Sequence, residues 1–93
     1  MATPHVPNYT VLALAATRRQ LTRLQKAHNS NLKRIFAAMM SLAENPYPAR
    51  SKKLANRPEL RIRVGDYRIV YIVDDVRRTV TICGIGHRRD VYR

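Results

Sequence analysis

Residues 60–73 read LRIRVGDYRIVYIV, two apolar segments separated by Gly-Asp. In the first segment, leucine, isoleucine and valine alternate with Arg61 and Arg63, the period of two that is typical of a β-strand with one buried face. Gly65 and Asp66 are residue types that favour a tight turn between such strands. The stretch therefore predicts an antiparallel hairpin with an apolar face and a cationic face.

The rest of the chain predicts elements that complete this sheet and cover its apolar face. A further strand is predicted over residues 79–85, and a first strand over residues 9–15. Apolar residues recur at helical spacing over residues 32–43, and Thr17 is predicted to cap an earlier helix over residues 18–27. Residues 45–58 contain three prolines and predict a surface loop.

These elements indicate a small α+β domain of order β-α-α-β-β-β. An antiparallel sheet would pack on a two-helix hairpin, because the joint apolar face of the helices needs a sheet to cover it. The chain has 93 residues, which is enough for one hydrophobic core. We expect residues 9–93 to form this domain and residues 1–8 to be a flexible N-terminal extension.

The composition points to a polyanionic partner. Eighteen Lys and Arg against six Asp and Glu give a net charge of +12, which favours nucleic acid or an acidic protein. The basic residues are not confined to one amphipathic helix, so no membrane partner is expected. Residues 1–8 lack the apolar run of a signal peptide, which predicts a cytoplasmic protein. The single cysteine, Cys83, predicts neither a disulfide nor a zinc site.

The chain ends in a second cationic motif. Residues 86–93 read GHRRDVYR and bring an imidazole, guanidinium groups and a phenol together in the sequence. Pairing of the preceding strand with the hairpin would place this motif near Arg61, Arg63 and Arg68. Arginine binds phosphate in bidentate geometry, and histidine and tyrosine can move a proton. The two motifs together predict a site for a phosphate group.

On these motifs, at residues 65–71 and 86–92, together with Lys52-Lys53-Leu54, the chain resembles the RelE/ParE toxin superfamily and is most similar to its RelE-like branch. The resemblance implies a toxin of a type II toxin-antitoxin system that cleaves messenger RNA in the ribosomal A site. It also implies inhibition by a cognate acidic antitoxin, contacts with ribosomal RNA, and an endoribonuclease that uses no metal and no cofactor.

The resemblance also implies the catalytic residues. In such an enzyme the 2′-hydroxyl of RNA attacks the adjacent phosphate, so the site needs a base, an acid and cations around the phosphorane. Arginine does not accept a proton near neutral pH, which leaves Tyr92 or His87 as the base, with Tyr92 preferred. Arg68 and Arg88 would hold the scissile phosphate. The predicted catalytic set is Arg61, Arg63, Arg68, His87, Arg88 and Tyr92.

A second set of cations is predicted to bind the RNA backbone through charge alone. Its members are Lys52, Lys53, Arg89, Arg18, Arg19 and Arg23. Two other functions remain open from the sequence: a gyrase-inhibiting toxin of the ParE branch, and a noncatalytic RNA-binding module.

Overall fold

In the computed structural model, which describes residues 8–87, two helices pack on one face of a five-stranded sheet. In chain order the elements are β1 (Thr10–Ala13), α1 (Ala15–Lys26), α2 (Leu32–Ser41), β2 (Lys52–Lys53), β3 (Leu60–Val64), β4 (Tyr67–Asp74) and β5 (Thr79–His87). The predicted fold class is confirmed. Strand β2 was predicted as loop, because two exposed lysines carry no apolar alternation.

The strands lie in the order β1-β5-β4-β3-β2. The pairs β3-β4 and β4-β5 are antiparallel, as predicted, and so is the pair of β3 with the unpredicted strand β2, whereas β1 pairs with β5 in parallel. A parallel pair requires a long crossover connection, and here everything from α1 to β4 lies between the two strands. Residue periodicity reports which face a side chain occupies but carries no information on strand direction, so the sequence did not predict this pairing.

The core lies between α2 and the sheet. Ile62 of β3, Ile69 and Tyr71 of β4 and Ile82 of β5 are fully buried against the apolar stripe of α2. That stripe consists of Ile35, Ala38, Met39 and Leu42. The spacing of these residues brings them to one side of a helix.

Helix α2 also carries apolar residues outside this stripe. Phe36 and Met40 belong to the apolar spacing that predicted this helix, but 44% and 55% of their surfaces are exposed. They lie four residues apart and therefore share a side of the helix that the sheet does not reach. A short helix packed on one sheet buries one stripe, and the apolar residues beside that stripe stay on the surface.

Helix α1 begins where β1 ends and covers the edge of β5. Thr17 was predicted as the helix cap, but α1 begins at Ala15. Thr17 therefore lies in the first turn of the helix, and its side chain is buried. Its hydroxyl donates to the Ile82 carbonyl at 2.9 Å, and the Gln20 side-chain oxygen accepts from the Ile85 N–H at 2.8 Å. These bonds satisfy backbone groups of β5 at and beyond the last residue that pairs with β1.

Strand β5 contains one additional residue relative to β4. Tyr71 pairs with Ile82 and Val70 pairs with Gly84, so Cys83 has no partner across the ladder. Such a β-bulge reverses the side-chain alternation beyond it. It explains how Ile82 and Ile85, three positions apart, are both buried on the helix side.

Candidate functional site

Arginines from two neighbouring strands share the face of the sheet opposite the helices. In the β3-β4 register Arg63 lies opposite Arg68, and Arg61 lies opposite Val70. Residues directly opposite in antiparallel strands point to the same face. The residues of β3 that alternate with these arginines point to the core; Ile62 among them is fully buried. We call the surface formed by Arg61, Arg63 and Arg68 the arginine face.

Glycines continue the arginine face onto β5. Gly86 lies opposite Arg68, and Gly84 lies opposite Val70. A Cβ atom added at Gly84 would have no atom within 4 Å, so the surface above it is open. Glycine inside a strand often marks a place where a ligand comes close to the backbone. Gly84 and Gly86 are two residues apart in the sequence, a spacing that places both on one face of a strand. The predicted site residues did not include them.

His87 lies on the other face of the sheet. It pairs with Tyr67, and the two rings meet edge to face with centroids 5.9 Å apart. The Tyr67 hydroxyl accepts a hydrogen bond from the Asn29 side-chain amide at 2.9 Å, at the connection between the helices. The alternation without a bulge would have kept His87 on the face of Thr81, but the additional residue Cys83 reverses it. The structure therefore separates His87 from the arginines.

The other predicted catalytic residues, Arg88 and Tyr92, lie outside the described residues, as does Arg89. Their sequence positions follow His87, at the end of β5 that carries Gly86 and borders Arg68. Arg61, Arg63 and Arg68 are thus the members of the predicted set that the described part of the chain brings together on one surface.

The predicted RNA-binding residues fall into two groups. Lys52 is exposed and lies opposite Arg61, so it extends the arginine face across β2, whereas Lys53 lies opposite the core-facing Leu60. The remaining cations belong to α1, on the opposite side of the sheet, where they line a shallow groove with Ala15 and Thr22. They are Arg18, Arg19 and Arg23. The α1 group therefore lies apart from the arginine face.

A carboxylate also belongs to the arginine face. Glu59 precedes β3 and alternates with Arg61 and Arg63, so its side chain shares their side of the sheet. Its Oε1 accepts from Arg57 Nη2 at 3.4 Å, and its Oε2 lies 3.3 Å from Arg57 Nε, with 17% of the side chain exposed. The alternation is visible in the sequence, but Glu59 was not among the predicted site residues.

A second polar cluster lies at the opposite end of the β4-β5 hairpin. We call it the tyrosine-carboxylate cluster: Asp75 accepts hydrogen bonds from the hydroxyls of Tyr9 at 2.6 Å and Tyr47 at 2.7 Å. The hydrogen bond to Asp75, aided by burial, raises the pKa of Tyr47 to about 12. The bonds from Tyr9 and Tyr47 lower the pKa of Asp75. The cluster joins β1, the loop after α2 and the β4-β5 turn.

Two features are missing from residues 8–87. No group of three or more His, Cys, Asp or Glu side chains in this range is arranged to hold a metal ion. Nor does the same part of the chain contain a helix long and apolar enough to cross a membrane.

Comparisons with known proteins agree on one family. The family model described as ParE toxin of type II toxin-antitoxin system, parDE, matches residues 9–92. Toxin RelG of Mycobacterium tuberculosis is 34% identical over 91 residues, which cover 91% of this chain and 97% of that protein. A chain of the archaeal RelE-RelB complex from Pyrococcus horikoshii OT3 has a TM-score of 0.72 and 26% identity, covering 90% of this chain and 99% of that one. A chain of the RelBE2 toxin-antitoxin complex from Mycobacterium tuberculosis has a TM-score of 0.63 and 31% identity. The match covers 89% of this chain and 100% of that one.

Proposed function

The chain belongs to the ParE toxin family of type II toxin-antitoxin systems, within the RelE/ParE superfamily, and on this basis we propose that it is a ribosome-dependent endoribonuclease that cleaves messenger RNA in the cytoplasm. The observation that carries the proposal is the register of β3 and β4, in which Arg61, Arg63 and Arg68 share one sheet face. Guanidinium groups gathered on an open surface suit a phosphodiester in a way that a solitary surface arginine does not.

The proposed reaction is transfer of the phosphate to the neighbouring hydroxyl. The 2′-oxygen attacks phosphorus, the bond from phosphorus to the 5′-oxygen breaks, and the products are a 2′,3′-cyclic phosphate and a free 5′-hydroxyl. A base takes the proton of the 2′-hydroxyl, and an acid gives a proton to the leaving 5′-oxygen. Arg63 and Arg68, opposite each other on neighbouring strands, would stabilise the negative charge that develops on the phosphorane. The residues used in this scheme need no metal ion.

We assign the base to Tyr92. His87, the other candidate, packs on Tyr67 on the helix side of the sheet, so its placement lends no support to a role at the phosphate. A tyrosine with a pKa near 10 must lose its proton to act as a base, and neighbouring guanidinium groups favour that. Arg88 would act with Arg68 on the scissile phosphate. Arg61 lies opposite Val70, two residues along β3 from Arg63, and would hold the RNA backbone next to the scissile phosphate.

The proposed macromolecular partners follow from the charge of +12. Lys52, beside the arginine face, and Lys53 and Arg89 would contact phosphates of messenger or ribosomal RNA. The α1 cations Arg18, Arg19 and Arg23 would contact ribosomal RNA from the other side of the domain. Such contacts weaken as salt rises, because binding releases counterions. A cognate acidic antitoxin is the protein partner, as in the toxin-antitoxin complexes of the similar structures.

Ribosomes programmed with a defined message, incubated with the purified protein, test the proposal. We expect breaks at codon-positioned sites in the message. Arg68→Ala and Tyr92→Phe should abolish cleavage while ribosome affinity changes less than about tenfold, because both remove contacts made mainly in the transition state. Arg77→Ala removes the same charge at the exposed β4-β5 turn and should cut at the wild-type rate. Wild-type cleavage by both site variants would reject the assigned residues.

A second function, inhibition of DNA gyrase, is favoured by the match to the ParE toxin model. A parallel incubation with gyrase and supercoiled DNA distinguishes it, since a gyrase inhibitor leaves messages intact and blocks supercoiling. A noncatalytic RNA-binding module would bind RNA without cutting it. Such modules stack bases on exposed aromatic rings, but Tyr71 is fully buried and Tyr67 lies on the helix side of the sheet.

A further inference from the structure

A small pocket lies on the same sheet face as the arginines, in the cross-strand row that contains Arg61. The connection between β2 and β3 folds over the sheet there, held by a hydrogen bond from the Leu54 N–H to the Glu59 carbonyl at 2.9 Å. Its floor is formed by Val70, which pairs with Arg61, and by Gly84, which pairs with Val70. The pocket has a volume of about 120 Å³. Its lining residues are Leu54, Arg57, Glu59, Val70, Cys83 and Gly84.

One oxygen in this pocket lacks a hydrogen-bond donor. Glu59 Oε2 is buried, and within residues 8–87 no group donates a hydrogen bond to it. Arg57 Nε lies 3.3 Å away and offsets its charge, but the approach does not have hydrogen-bond geometry. A buried acceptor without a donor is destabilising, and a ligand that supplies an N–H removes this penalty. The orphaned oxygen therefore indicates that the pocket binds a molecule with a hydrogen-bond donor.

The other walls of the pocket suit a flat ring. Leu54 and Val70 are apolar, and Gly84 leaves the strand surface bare. Burial, and next the charge of Glu59, raise the pKa of the Cys83 thiol, so Cys83 is neutral at pH 7 and adds a further weakly polar wall. An aromatic heterocycle presents apolar faces to such walls and polar groups at its edge, the combination by which proteins bind single-stranded bases.

We propose that this pocket binds a cytosine base of the message next to the cleaved phosphate, with Glu59 accepting a hydrogen bond from the exocyclic amine. The inference rests on the proposed function, because it places the base beside the arginine face that would hold the phosphate. Glu59 is two residues before Arg61 on the same side of β3, a separation of about 7 Å along a strand. The base and the phosphate of one RNA segment can therefore occupy the pocket and the arginine face together.

The pocket is small, about 120 Å³, and we take its occupant to be a pyrimidine, the smaller kind of base. The chemistry of the pocket then favours cytosine over uracil. Uracil has a carbonyl oxygen where cytosine has its amine, and that oxygen would face the carboxylate of Glu59 with no proton between them. Arg57, which pairs with Glu59 and lines the same pocket, can donate to the ring nitrogen or carbonyl of cytosine. Cytosine therefore presents a donor to Glu59 beside an acceptor for Arg57.

A series of messages that differ at one nucleotide tests the inference. Each of the three positions of the codon in the ribosomal A site is varied through all four bases, and kcat/KM for cleavage is measured. We expect the wild type to prefer cytosine over uracil at one position by about tenfold or more. Glu59→Gln should bring that ratio close to one, because an amide can turn to donate to uracil or accept from cytosine. Glu44→Gln makes the same change far from the pocket and should keep the wild-type ratio.

A second variant tests the shape of the pocket. Gly84→Ala places a methyl group where no atom lies within 4 Å, so the protein should fold and melt as the wild type does. The methyl group narrows the pocket and should lower kcat/KM on the cytosine-containing message more than on the uracil-containing one. An equal effect on both messages, or an unchanged base ratio in Glu59→Gln, would overturn the pocket and leave the nuclease proposal standing.

Nucleotide binding separates this inference from the nuclease proposal. Cytidine and uridine 5′-monophosphate are titrated into the labelled protein, and the amide resonances of Val70 and Gly84 are followed. We expect larger shifts with the cytidine nucleotide, and loss of the difference in Glu59→Gln. Cytidine-selective shifts without message cleavage would reject the nuclease and retain the base pocket. Equal responses to the two nucleotides would count against the pocket, whatever the cleavage assay shows.

Discussion

The two ends of the β4-β5 hairpin carry polar residues in different arrangements. At the turn end, Asp75 accepts hydrogen bonds from Tyr9 and Tyr47, and the carboxylate, phenols and a cation satisfy one another. At the open end, Arg68 lies beside Arg63 on one strand and beside Gly86 on the other. The turn end thus uses its polar groups to join distant segments, whereas the open end gathers cations on one sheet face, two residues from the open position at Gly84.

The details of the turn strengthen this contrast. The Asp74 side chain accepts from the backbone N–H groups of Val76 and Arg77, both at 3.0 Å. The Arg78 guanidinium lies over the Tyr9 ring at 5.2 Å from its centroid. Under the proposed function, one hairpin separates two tasks, with stability at the turn end and phosphate binding at the open end. Substitutions at the two ends should therefore change different measured quantities.

The largest expected effect is loss of activity at the open end. Arg63→Ala removes one guanidinium group from the arginine face and should lower kcat for message cleavage by about 10²-fold, the usual consequence of losing one charge-stabilising group. Arg63 is exposed and lies outside the core, so the melting temperature should change little. Cleavage assays and thermal melts of the same preparations make the measurement. A large fall in melting temperature would contradict the separation of tasks.

A smaller effect, on stability, is expected where β4 meets the loop after α2. The hydroxyl of the fully buried Tyr71 donates to the Pro46 carbonyl at 2.7 Å. Tyr71→Phe leaves that carbonyl without its donor and should lower the free energy of unfolding by about 1–2 kcal/mol. Urea denaturation measures the difference. Below the unfolding transition, cleavage by the variant should match the wild type, and reduced cleavage by fully folded protein would contradict the contrast.

Loss of a cation from the turn end should be smaller still. Arg78→Ala removes the cation-π contact with Tyr9 and should lower the free energy of unfolding by about 0.5–1 kcal/mol. For a domain of this size, that corresponds to a fall of a few degrees in melting temperature, about 2–8 °C. Message cleavage at low temperature should be unchanged. Together with Arg63→Ala, this variant removes one positive charge from each end, and matching phenotypes would refute the division between them.

A further effect is a dependence of stability on alkaline pH. Because the pKa of Tyr47 is raised in the folded protein from 10.0 to about 12, its contribution to stability is complete below pH 10 and is lost as pH rises from 10 to 12. The free energy of unfolding, measured across this range, should fall more steeply for the wild type than for Tyr47→Phe. Parallel curves would show that the bond to Asp75 does not couple Tyr47 ionisation to folding.

The same carboxylate gives a dependence on acid pH with the opposite sign. The pKa of Asp75 is lowered by the hydrogen bonds from Tyr9 and Tyr47, so its contribution is present above the ordinary value of 3.8 and is lost as pH falls through the lower folded value. Asp75→Asn should flatten the wild-type stability curve at its acid end. The neutral asparagine side chain keeps an oxygen that can accept from Tyr9 or Tyr47. The variant therefore tests the effect of the negative charge.

The sequence predicted those parts of the molecule that follow a regular period. Alternation over residues 60–64, the Gly65-Asp66 turn and the helical spacing before them indicated the hairpin, the helices and the fold class. Alternation also predicted a common face for the arginines, because each lies in a regular stretch of its strand. The sequence did not reveal the parallel pairing of β1 with β5, since a side-chain pattern is the same for either strand direction.

The position of His87 shows the limit of the same reasoning. A regular strand from Thr81 to His87 would have kept both side chains on one face, and the additional residue Cys83 breaks that rule. The signal was present, because Ile82 and Ile85 are three positions apart and cannot both face the core in a regular strand. A loop was predicted over residues 45–58, but its position over the sheet was not, since that position and the orphaned Glu59 oxygen depend on tertiary contacts.

The bulge at Cys83 restricts how the length of β5 can change. Insertion or deletion of one amino acid within β5 before Gly84 would exchange inside and outside for the rest of the strand, and would turn Ile85 toward solvent and Gly86 toward the helices. Insertion or deletion of two amino acids would keep each later side chain on its present face of the sheet. Among related sequences, insertions and deletions within this strand should therefore involve even numbers of residues. Odd numbers should occur in the β4-β5 turn, where they do not change which face the strand residues occupy.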